Sequence, residues 1–169
     1  MFAFLRQNLL FRHLKDEELI EFLPHIYERV YGKDEVIFFR NDPSQAFYMI
    51  KTGRVMLTLD TSDNFEKLIT LSRYNYFGEN ALMNRKNRMY NAISLSEKTQ
   101  VYAIPQVHMA EIFEDEPEIR YKIIEALAEV YEQNLSNIFR AYSTSFGFFD
   151  LGQVCFSGFG NSEDEDYPE

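Results

Sequence analysis

The chain has 169 residues, of which 46% are hydrophobic and 16% aromatic, so it can form one substantial core and is unlike a disordered protein. Its net charge of −10 disfavours nucleic acid and anionic membrane surfaces as partners, because both repel an acidic protein. No apolar run reaches the length of about 18 residues that a membrane-spanning helix needs. The single cysteine, Cys155, excludes an internal disulfide, and we therefore predict a cytoplasmic protein.

The first two thirds of the chain predict short helices followed by many short strands. Residues 2–24 are typical of one or two short helices, which end at Pro24. The segment between about 26 and 105 contains runs rich in β-branched and aromatic residues, separated by turn residues. In the run 54–60, Val55, Leu57 and Leu59 are predicted on one face and Thr58 on the other. The predicted strands are 26–31, 35–39, 46–51, 54–60, 66–72, 90–95 and 99–104, which favour an antiparallel sandwich or barrel.

The next segment predicts a short helix at 106–113 and a long helix that begins at Pro117 and ends near residue 142. One row of its residues has the spacing of three and four that is typical of a coiled-coil seam, and predicts a homodimer. Alternatively, the helix simply lies on its own domain; a second row with Ile123 and Val130 could also make that contact while the first row faces a partner. The predicted seam comprises Ile124, Leu127, Tyr131, Asn134, Ile138 and Ala141.

The chain therefore divides into a domain of residues 1–142 and two further segments. Residues 143–160 form an extension rich in Phe and Gly that lacks helical periodicity, and we expect it to contact the domain or a partner. Residues 161–169 are an acidic tail that we predict to be disordered.

The segment 76–83 carries the most specific chemistry. Gly78 allows a close backbone approach to a ligand, and the carboxylate of Glu79 can accept hydroxyl hydrogen bonds. A short helix beginning here would offer free N–H groups to a phosphate, and Arg85 and Arg88 follow as phosphate-binding cations. These groups together suit a nucleotide monophosphate. The candidate ligand-binding residues are Phe77, Gly78, Glu79, Asn80, Ala81, Arg88, Met89 and Tyr90.

Four segments give the chain its resemblance to a known family. They are 36–42 (VIFFRND), 47–55 (FYMIKTGRV), 77–92 and 101–105 (VYAIP). In their order and spacing, over about residues 9–140, the chain resembles the cyclic nucleotide-binding domain family, which includes the catabolite activator protein and the regulatory subunits of protein kinase A. The resemblance implies a mainly β fold, an antiparallel double-stranded β-helix or jelly-roll barrel, with flanking helices and a long C-terminal helix.

The resemblance also implies a ligand and residue roles. The expected ligand is cAMP or cGMP. Glu79 would hold the ribose 2′-hydroxyl, Gly78 with the amides of Asn80 and Ala81 would line the phosphate, and Arg88 would pair with it. Residues 123–138 of the long helix would cover the base. Members often carry a helix-turn-helix after this helix, but the 27 residues beyond Tyr142 contain no Lys or Arg, so we predict no DNA-binding module.

The chain departs from the family pattern in and near the same segment. The family has Arg, a small residue, Ala and then Thr or Ser, whereas this chain reads Arg88-Met-Tyr-Asn. Counting back from the strand near 101–104 places Met89 in the arginine register, which turns Arg88 away from the pocket unless a bulge or turn restores it. Bulky Met89 and Tyr90 are also expected to fill space that a nucleotide needs. Asn41 replaces a glycine that is usual before Asp42, and asparagine is tolerated in such a turn.

No pattern predicts an enzyme. His13, His25 and His108 are far apart in the sequence, so no metal site is expected, and neither catalytic residues nor a cofactor are predicted. Two hypotheses remain. The first is a stand-alone sensor in which a cyclic nucleotide shifts the long helix and alters the interface with an unknown protein partner. The alternative is a ligand-free dimeric interaction module with a degenerate nucleotide pocket.

Overall fold

The structure, a computed structural model, describes residues 1–60, 65–83 and 87–146. The chain divides into two units, Met1–Val130 and Tyr131–Glu169. Residues 143–146 continue the long helix, and the rest of the predicted Phe/Gly-rich extension lies outside the described residues. The predicted acidic tail, Cys155 and Arg85 lie outside them as well. No helix among the described residues is both long enough and apolar enough to cross a bilayer.

The described strands form two four-stranded antiparallel sheets, which confirms the mainly β, jelly-roll prediction. The first sheet has the order β1-β8-β3-β6 and the second the order β2-β7-β4-β5. Each predicted strand is present, whereas β6 was not predicted because two residues are too few to show a pattern. The strands are β1 (Tyr27–Gly32), β2 (Val36–Phe38), β3 (Ala46–Thr52), β4 (Val55–Asp60), β5 (Phe65–Leu71), β6 (Tyr76–Phe77), β7 (Asn91–Ser94) and β8 (Lys98–Pro105).

Strand β4 follows the predicted alternation only in part. Val55 and Leu57 are buried as expected, but Thr58, predicted on the outer face, is buried too. Its hydroxyl accepts a hydrogen bond from Nδ2 of Asn91 at 3.2 Å, and the register with β5 shifts at this point, with Leu68 as the extra residue. Strict alternation fails here because the irregular pairing and a polar contact bury both faces of the strand.

The helices flank the sheets. They are α1 (Phe2–Leu5), α2 (Asp16–Ile20), α3 (Gln106–Asp115) and α4 (Pro117–Phe146), with single 3-10 turns at Leu9–Phe11 and Leu23–His25.

The apolar core of the first unit has two parts. One part lies between the two sheets and includes residues from six strands: Phe38, Ile50, Val55, Leu57, Phe77, Ala92 and Val101, together with Tyr90. The other part joins the helices to the first sheet and contains Phe11, Phe22, Phe47, Met49, Leu82, Ile104, Met109, Ile123 and Leu127. Burying each of these large side chains stabilises the fold by about 1.5–3 kcal/mol.

The structure corrects the predicted seam of the long helix. Leu127 is only 2% exposed and belongs to the core of the first unit together with Ile123, so it cannot contact a second copy. Up to Val130 the alternative interpretation therefore holds, because Ile123, Ala126 and Leu127 form the helix face that packs on its own domain. In the second unit, an exposed apolar row with spacings of four and three consists of Tyr131, Leu135 and Ile138.

Candidate functional site

The candidate site begins where β6 ends. Gly78 has a φ of 76°, in the left-handed region that favours glycine, and the 3-10 turn Glu79–Ala81 follows it. A Cβ atom at Gly78 would lie 2.6 Å from Nη1 of Arg88 and 3.2 Å from the carbonyl oxygen of Ala46. The backbone at Gly78 is therefore approached closely by the guanidinium of Arg88, and the predicted close approach of Gly78 to a ligand stays a prediction.

Arg88 points into the domain, which answers the question that the sequence register left open. Its side chain is 2% exposed, Nη1 donates to the carbonyl of Gly78 at 3.0 Å, and Nη2 donates to the carbonyl of Ala46 at 2.6 Å. The backbone N–H of Arg88 donates to the carbonyl of Asp42, and the N–H of Asn41 donates to the carbonyl of Arg88, both at 2.9 Å. This pairing with the turn after β2 replaces a regular strand register and turns Arg88 inward.

The turn that holds Arg88 contains Asn41, which replaces a glycine that is usual in the family. Asn41 has a φ of 69°, so asparagine adopts the left-handed conformation there, as expected. Pro43 and Asn87 form an isolated antiparallel bridge beside it. The carboxylate of Asp42 accepts a hydrogen bond from the backbone N–H of Phe39 at 2.8 Å. The turn is thus closed by its own polar groups.

Arg88 is a buried cation whose neighbours are mostly dipoles and aromatic faces. Its guanidinium carbon lies 4.2 Å from the ring centroid of Phe38 and 5.6 Å from that of Tyr48. It forms no salt bridge with any residue that the structure describes, and its buried Nε has no hydrogen-bond partner among them. Burial lowers the pKa of Arg88, although Tyr48, Tyr90 and Glu79 oppose this, and the guanidinium stays charged. Such a group can pair with a bound anion.

A cavity of about 200 Å³ lies against Arg88. It is smaller than the roughly 300–1,000 Å³ that is usual for small-molecule sites. In this conformation there is room for an anionic group beside the guanidinium, but a whole nucleotide would require side chains to move. The cavity is lined by Ile37, Phe38, Asp42, Pro43, Gln45, Tyr48 and Arg88.

Tyr90 occupies the polar groups next to Arg88. Its hydroxyl donates to Oε2 of Glu79 at 2.7 Å and accepts from the backbone N–H of Gly78 at 2.8 Å. Its ring is buried, with its centroid 5.8 Å from that of Phe38. Burial, the charge of Glu79 and the hydrogen bond to it raise the pKa of Tyr90 well above its ordinary value, so the phenol stays neutral. The hydroxyl of Tyr90 thus occupies both polar groups that were predicted to serve a ligand, while the expectation that its ring fills nucleotide space stays a prediction.

The remaining predicted site residues have different environments. The side chain of Met89 is 55% exposed, because the inward turn of Arg88 and Tyr90 leaves it outside the core, and the expectation that Met89 fills ligand space stays a prediction. Phe77 and Ala81 are buried in the two parts of the core. Asn80 is 1% exposed, and neither polar atom of its side chain has a hydrogen-bond partner among the described residues.

Sequence reasoning missed three contributors to the site. The carbonyl of Ala46 binds Arg88, and the rings of Phe38 and Tyr48 lie beside its guanidinium. The only signal in the sequence was the family resemblance carried by the segments 36–42 and 47–55. Phe38 and Tyr48 lie within these segments, and Ala46 directly precedes the second. Nothing in those segments indicates which side chains meet Arg88, because each contact spans 40 residues of chain or more.

Two histidines that are distant in the sequence meet in the structure. The ring centroids of His25 and His108 are 4.6 Å apart, and Nδ1 of His108 lies 2.9 Å from Oε2 of Glu111. His13 instead contacts Glu129, with Nε2 and Oε2 at 3.0 Å. Across the described parts of the chain, no three His, Cys, Asp or Glu side chains cluster in a way that could hold a metal ion.

Solved structures share this architecture. Catabolite activator protein from Thermus thermophilus superimposes with a TM-score of 0.65 at 23% identity, covering 80% of this chain and 64% of that one. The regulatory domain of Toxoplasma gondii PKA, solved with cAMP, superimposes with a TM-score of 0.64 at 15% identity, covering 76% and 48% of the two chains. Identities this low establish the fold alone.

The sequence comparisons point to the same family. cGMP-dependent protein kinase, isozyme 1, from Drosophila melanogaster is 30% identical over 122 residues, which are 70% of this chain but only 16% of the kinase. The family model for the cyclic nucleotide-binding domain matches residues 28–116, more than half of the chain. This match includes the turn at Asn41, the glycine at 78 and the buried Arg88. The chain belongs to the cyclic nucleotide-binding domain family.

Proposed function

We propose that this domain binds a cyclic nucleotide and regulates a protein partner, without DNA binding and without catalysis. The observation that carries the proposal is Arg88, a buried cation that lines a cavity and forms no salt bridge with a described residue. A bound phosphate would supply the missing negative charge and bidentate hydrogen bonds. The names of the relatives, a cGMP-dependent kinase and a PKA regulatory domain solved with cAMP, support cAMP or cGMP as the ligand class.

The proposed binding mode divides the site into two halves around Gly78. Arg88 binds the cyclic phosphate in the first half, and Glu79 with the N–H of Gly78 binds the sugar hydroxyl in the second. The first half adjoins the cavity, whereas Tyr90 fills the second. Ligand binding therefore requires a rearrangement of the segment that contains Tyr90.

Such a rearrangement has a route to the helices. Ala81 and Leu82, which follow Glu79 after one intervening residue, are buried in the same part of the core as Ile119 and Ile123 of α4. A shift of the turn at Glu79–Ala81 would change this packing, because close-packed cores do not deform without moving their neighbours. If the ligand prefers one arrangement, occupancy changes the surface that α4 offers to a partner.

We also propose that a second copy of the chain covers α4 in the second unit, at the exposed row Tyr131, Leu135 and Ile138. The spacing of four and three in this row is that of a coiled-coil seam. The proposed location is the cytoplasm, which fits a regulatory domain that binds a nucleotide dissolved there.

A second candidate function is a dimeric interaction module that binds no nucleotide. One observation favours it: the hydroxyl of Tyr90 already takes both the Glu79 carboxylate and the Gly78 N–H. In that case the barrel serves only as a scaffold, and Arg88 is a structural residue that binds the carbonyls of Gly78 and Ala46.

Isothermal titration calorimetry of the nucleotide-stripped protein with cAMP and cGMP separates the two functions. The sensor predicts micromolar or tighter binding, and Arg88→Gln should weaken it by about 30-fold or more, because a charged partner is removed from a buried anion. Arg73→Gln, at an exposed arginine, is the matched control and should bind as the wild type does. Circular dichroism melts establish that each variant is folded. Absence of heat at millimolar ligand with a folded protein contradicts the sensor and supports the scaffold.

A further inference from the structure

The groups on either side of the Gly78–Glu79 peptide form a subsite for one hydroxyl. A backbone N–H offers a donor and the Glu79 carboxylate offers an acceptor, and a hydroxyl is the group that satisfies both at once. In the structure that hydroxyl is the phenol of Tyr90, at 2.8 Å from the nitrogen of Gly78 and 2.7 Å from Oε2 of Glu79. The subsite is therefore complete, partly buried and occupied by the chain itself.

The same glycine joins this subsite to the cation. The N–H of Gly78 binds Tyr90, and its carbonyl accepts from Nη1 of Arg88 at 3.0 Å. The two side chains are separated by one residue in the chain, Met89, whose own side chain is exposed. The guanidinium of Arg88 and the hydroxyl of Tyr90 therefore bind the two polar groups of the same glycine.

We propose that Tyr90 is a specificity-determining residue: an internal competitor that holds the hydroxyl subsite and must be displaced by the hydroxyl of the ligand. This inference rests on the proposed nucleotide function. A 3′,5′-cyclic nucleotide has one free sugar hydroxyl, at the 2′ position, and that group competes with the phenol for Glu79 and Gly78. Exchange of one hydroxyl for another gains no net hydrogen bond, so the wild-type domain distinguishes poorly between ribose and 2′-deoxyribose.

Removal of the phenol hydroxyl changes this balance. In Tyr90→Phe the ring still packs against Phe38, but the carboxylate of Glu79 and the N–H of Gly78 lose their shared partner. A ligand hydroxyl then restores both hydrogen bonds at this partly buried position, and an analogue without it restores neither. Both the affinity for the ribose ligand and the discrimination against the deoxyribose ligand should rise.

The test is calorimetry of cAMP and 2′-deoxy-cAMP against the wild type, Tyr90→Phe and Tyr90→Ala. We expect cAMP to bind to either variant at least about tenfold more tightly than to the wild type. The affinity for 2′-deoxy-cAMP should change little. Tyr121→Phe is the matched control, since its hydroxyl also donates to a carboxylate, Glu125 at 3.1 Å, but on the exposed surface of α4. It should leave both affinities unchanged. Tyr90→Phe keeps the buried ring, so it tests the inference even if Tyr90→Ala fails to fold.

A second comparison shows whether the competition is for Glu79. In a Glu79→Ala background, Tyr90→Phe should give a clearly smaller gain in cAMP affinity, because the carboxylate for which both hydroxyls compete is absent and only the N–H of Gly78 remains. An undiminished gain there would mean that Tyr90 only occupies space, and would overturn the inference.

The remaining outcomes separate the inference from the function. If the wild type and the Tyr90 variants bind cAMP with equal affinity, and likewise 2′-deoxy-cAMP, the nucleotide function stands and the role proposed for Tyr90 is wrong. If no folded variant binds either nucleotide, Tyr90→Ala included, the nucleotide function itself is wrong and the inference fails with it.

Discussion

At the scale of single residues, two of the buried asparagines, Asn8 and Asn80, differ in what surrounds them. Oδ1 of Asn8 accepts from the N–H of Leu10 at 3.0 Å, and its Nδ2 donates to the carbonyl of Tyr74 at 3.2 Å. The amide of Asn80 is equally buried, yet neither of its polar atoms has a partner among the described residues. A buried amide without hydrogen bonds destabilises the folded state, whereas one with partners contributes to it.

We therefore predict opposite effects for the same substitution at these two positions. Asn80→Leu should raise the free energy of unfolding by about 1–3 kcal/mol, because an unsatisfied amide is replaced by an apolar side chain of similar volume. Asn8→Leu should lower it by a similar amount, because two satisfied hydrogen bonds are lost. Urea denaturation monitored by circular dichroism measures both. A destabilising effect of Asn80→Leu would mean that the amide has a partner in solution, such as bound water.

Residue chemistry predicted part of the candidate site. Gly78 and Glu79 were predicted from the sequence because a glycine allows a close backbone approach, a carboxylate can accept hydroxyl hydrogen bonds, and the family resemblance gives both positions these roles. The orientation of Arg88 could not be derived in the same way. It depends on the carbonyl of Asp42, which lies in a turn 46 residues earlier in the chain.

At the scale of elements, α2 is joined to α4 by a polar contact at the edge of the core. Nζ of Lys122 lies 2.6 Å from Oε1 of Glu18 and 3.0 Å from Oε1 of Glu118. The other carboxylate oxygen of Glu18 accepts from the backbone N–H of Lys15 at 2.7 Å. Burial by itself raises the pKa of Glu18, but Lys122 and the N–H of Lys15 together lower it below its ordinary value.

The lowered pKa of Glu18 predicts a pH dependence of stability. Because the carboxyl group binds its proton more weakly in the folded state, its contribution is present above about pH 4.3, where an unfolded glutamate titrates, and is lost as the pH falls through the lower folded-state pKa. Glu18→Gln should therefore lower the melting temperature at pH 7 and have a smaller effect near pH 3. Glu17→Gln, at an exposed neighbour in α2, should have little effect at either pH. Equal losses at both pH values for Glu18→Gln would contradict the role assigned to its charge.

The positions of the helices and strands could be predicted from the sequence, whereas the faces that they bury could not. Short β-branched runs and turn residues identified the strands, and Pro117 marked the start of α4. Periodicity alone could not decide which row of α4 faces the domain. Leu127 fits a coiled-coil seam by its spacing, yet it is buried with Ile123, because the strands and short helices present an apolar surface to that side of the helix.

At the scale of the whole molecule, the exposed row Tyr131, Leu135 and Ile138 predicts the oligomeric state. We expect the full chain to be a dimer in light scattering after size-exclusion chromatography, because a second copy would remove this apolar row from water. Leu135→Lys and Ile138→Lys should convert the dimer to a monomer without loss of helical signal, since each buries a charge in the seam. Gln133→Lys adds the same charge at an exposed polar position and should remain dimeric. A monomeric wild type would contradict the prediction.

The sequence by itself determined the two-sheet fold, the long helix and the family, because strand periodicity, turn chemistry and the order of short motifs are properties of local sequence. It also identified Asn41 as a residue that tolerates the left-handed conformation. Only the tertiary structure decided that Arg88 faces inward, that Tyr90 takes the hydroxyl subsite, and that Leu127 belongs to the core. Each of these depends on contacts between separate elements, and the energies of such contacts are set by geometry that no local pattern encodes.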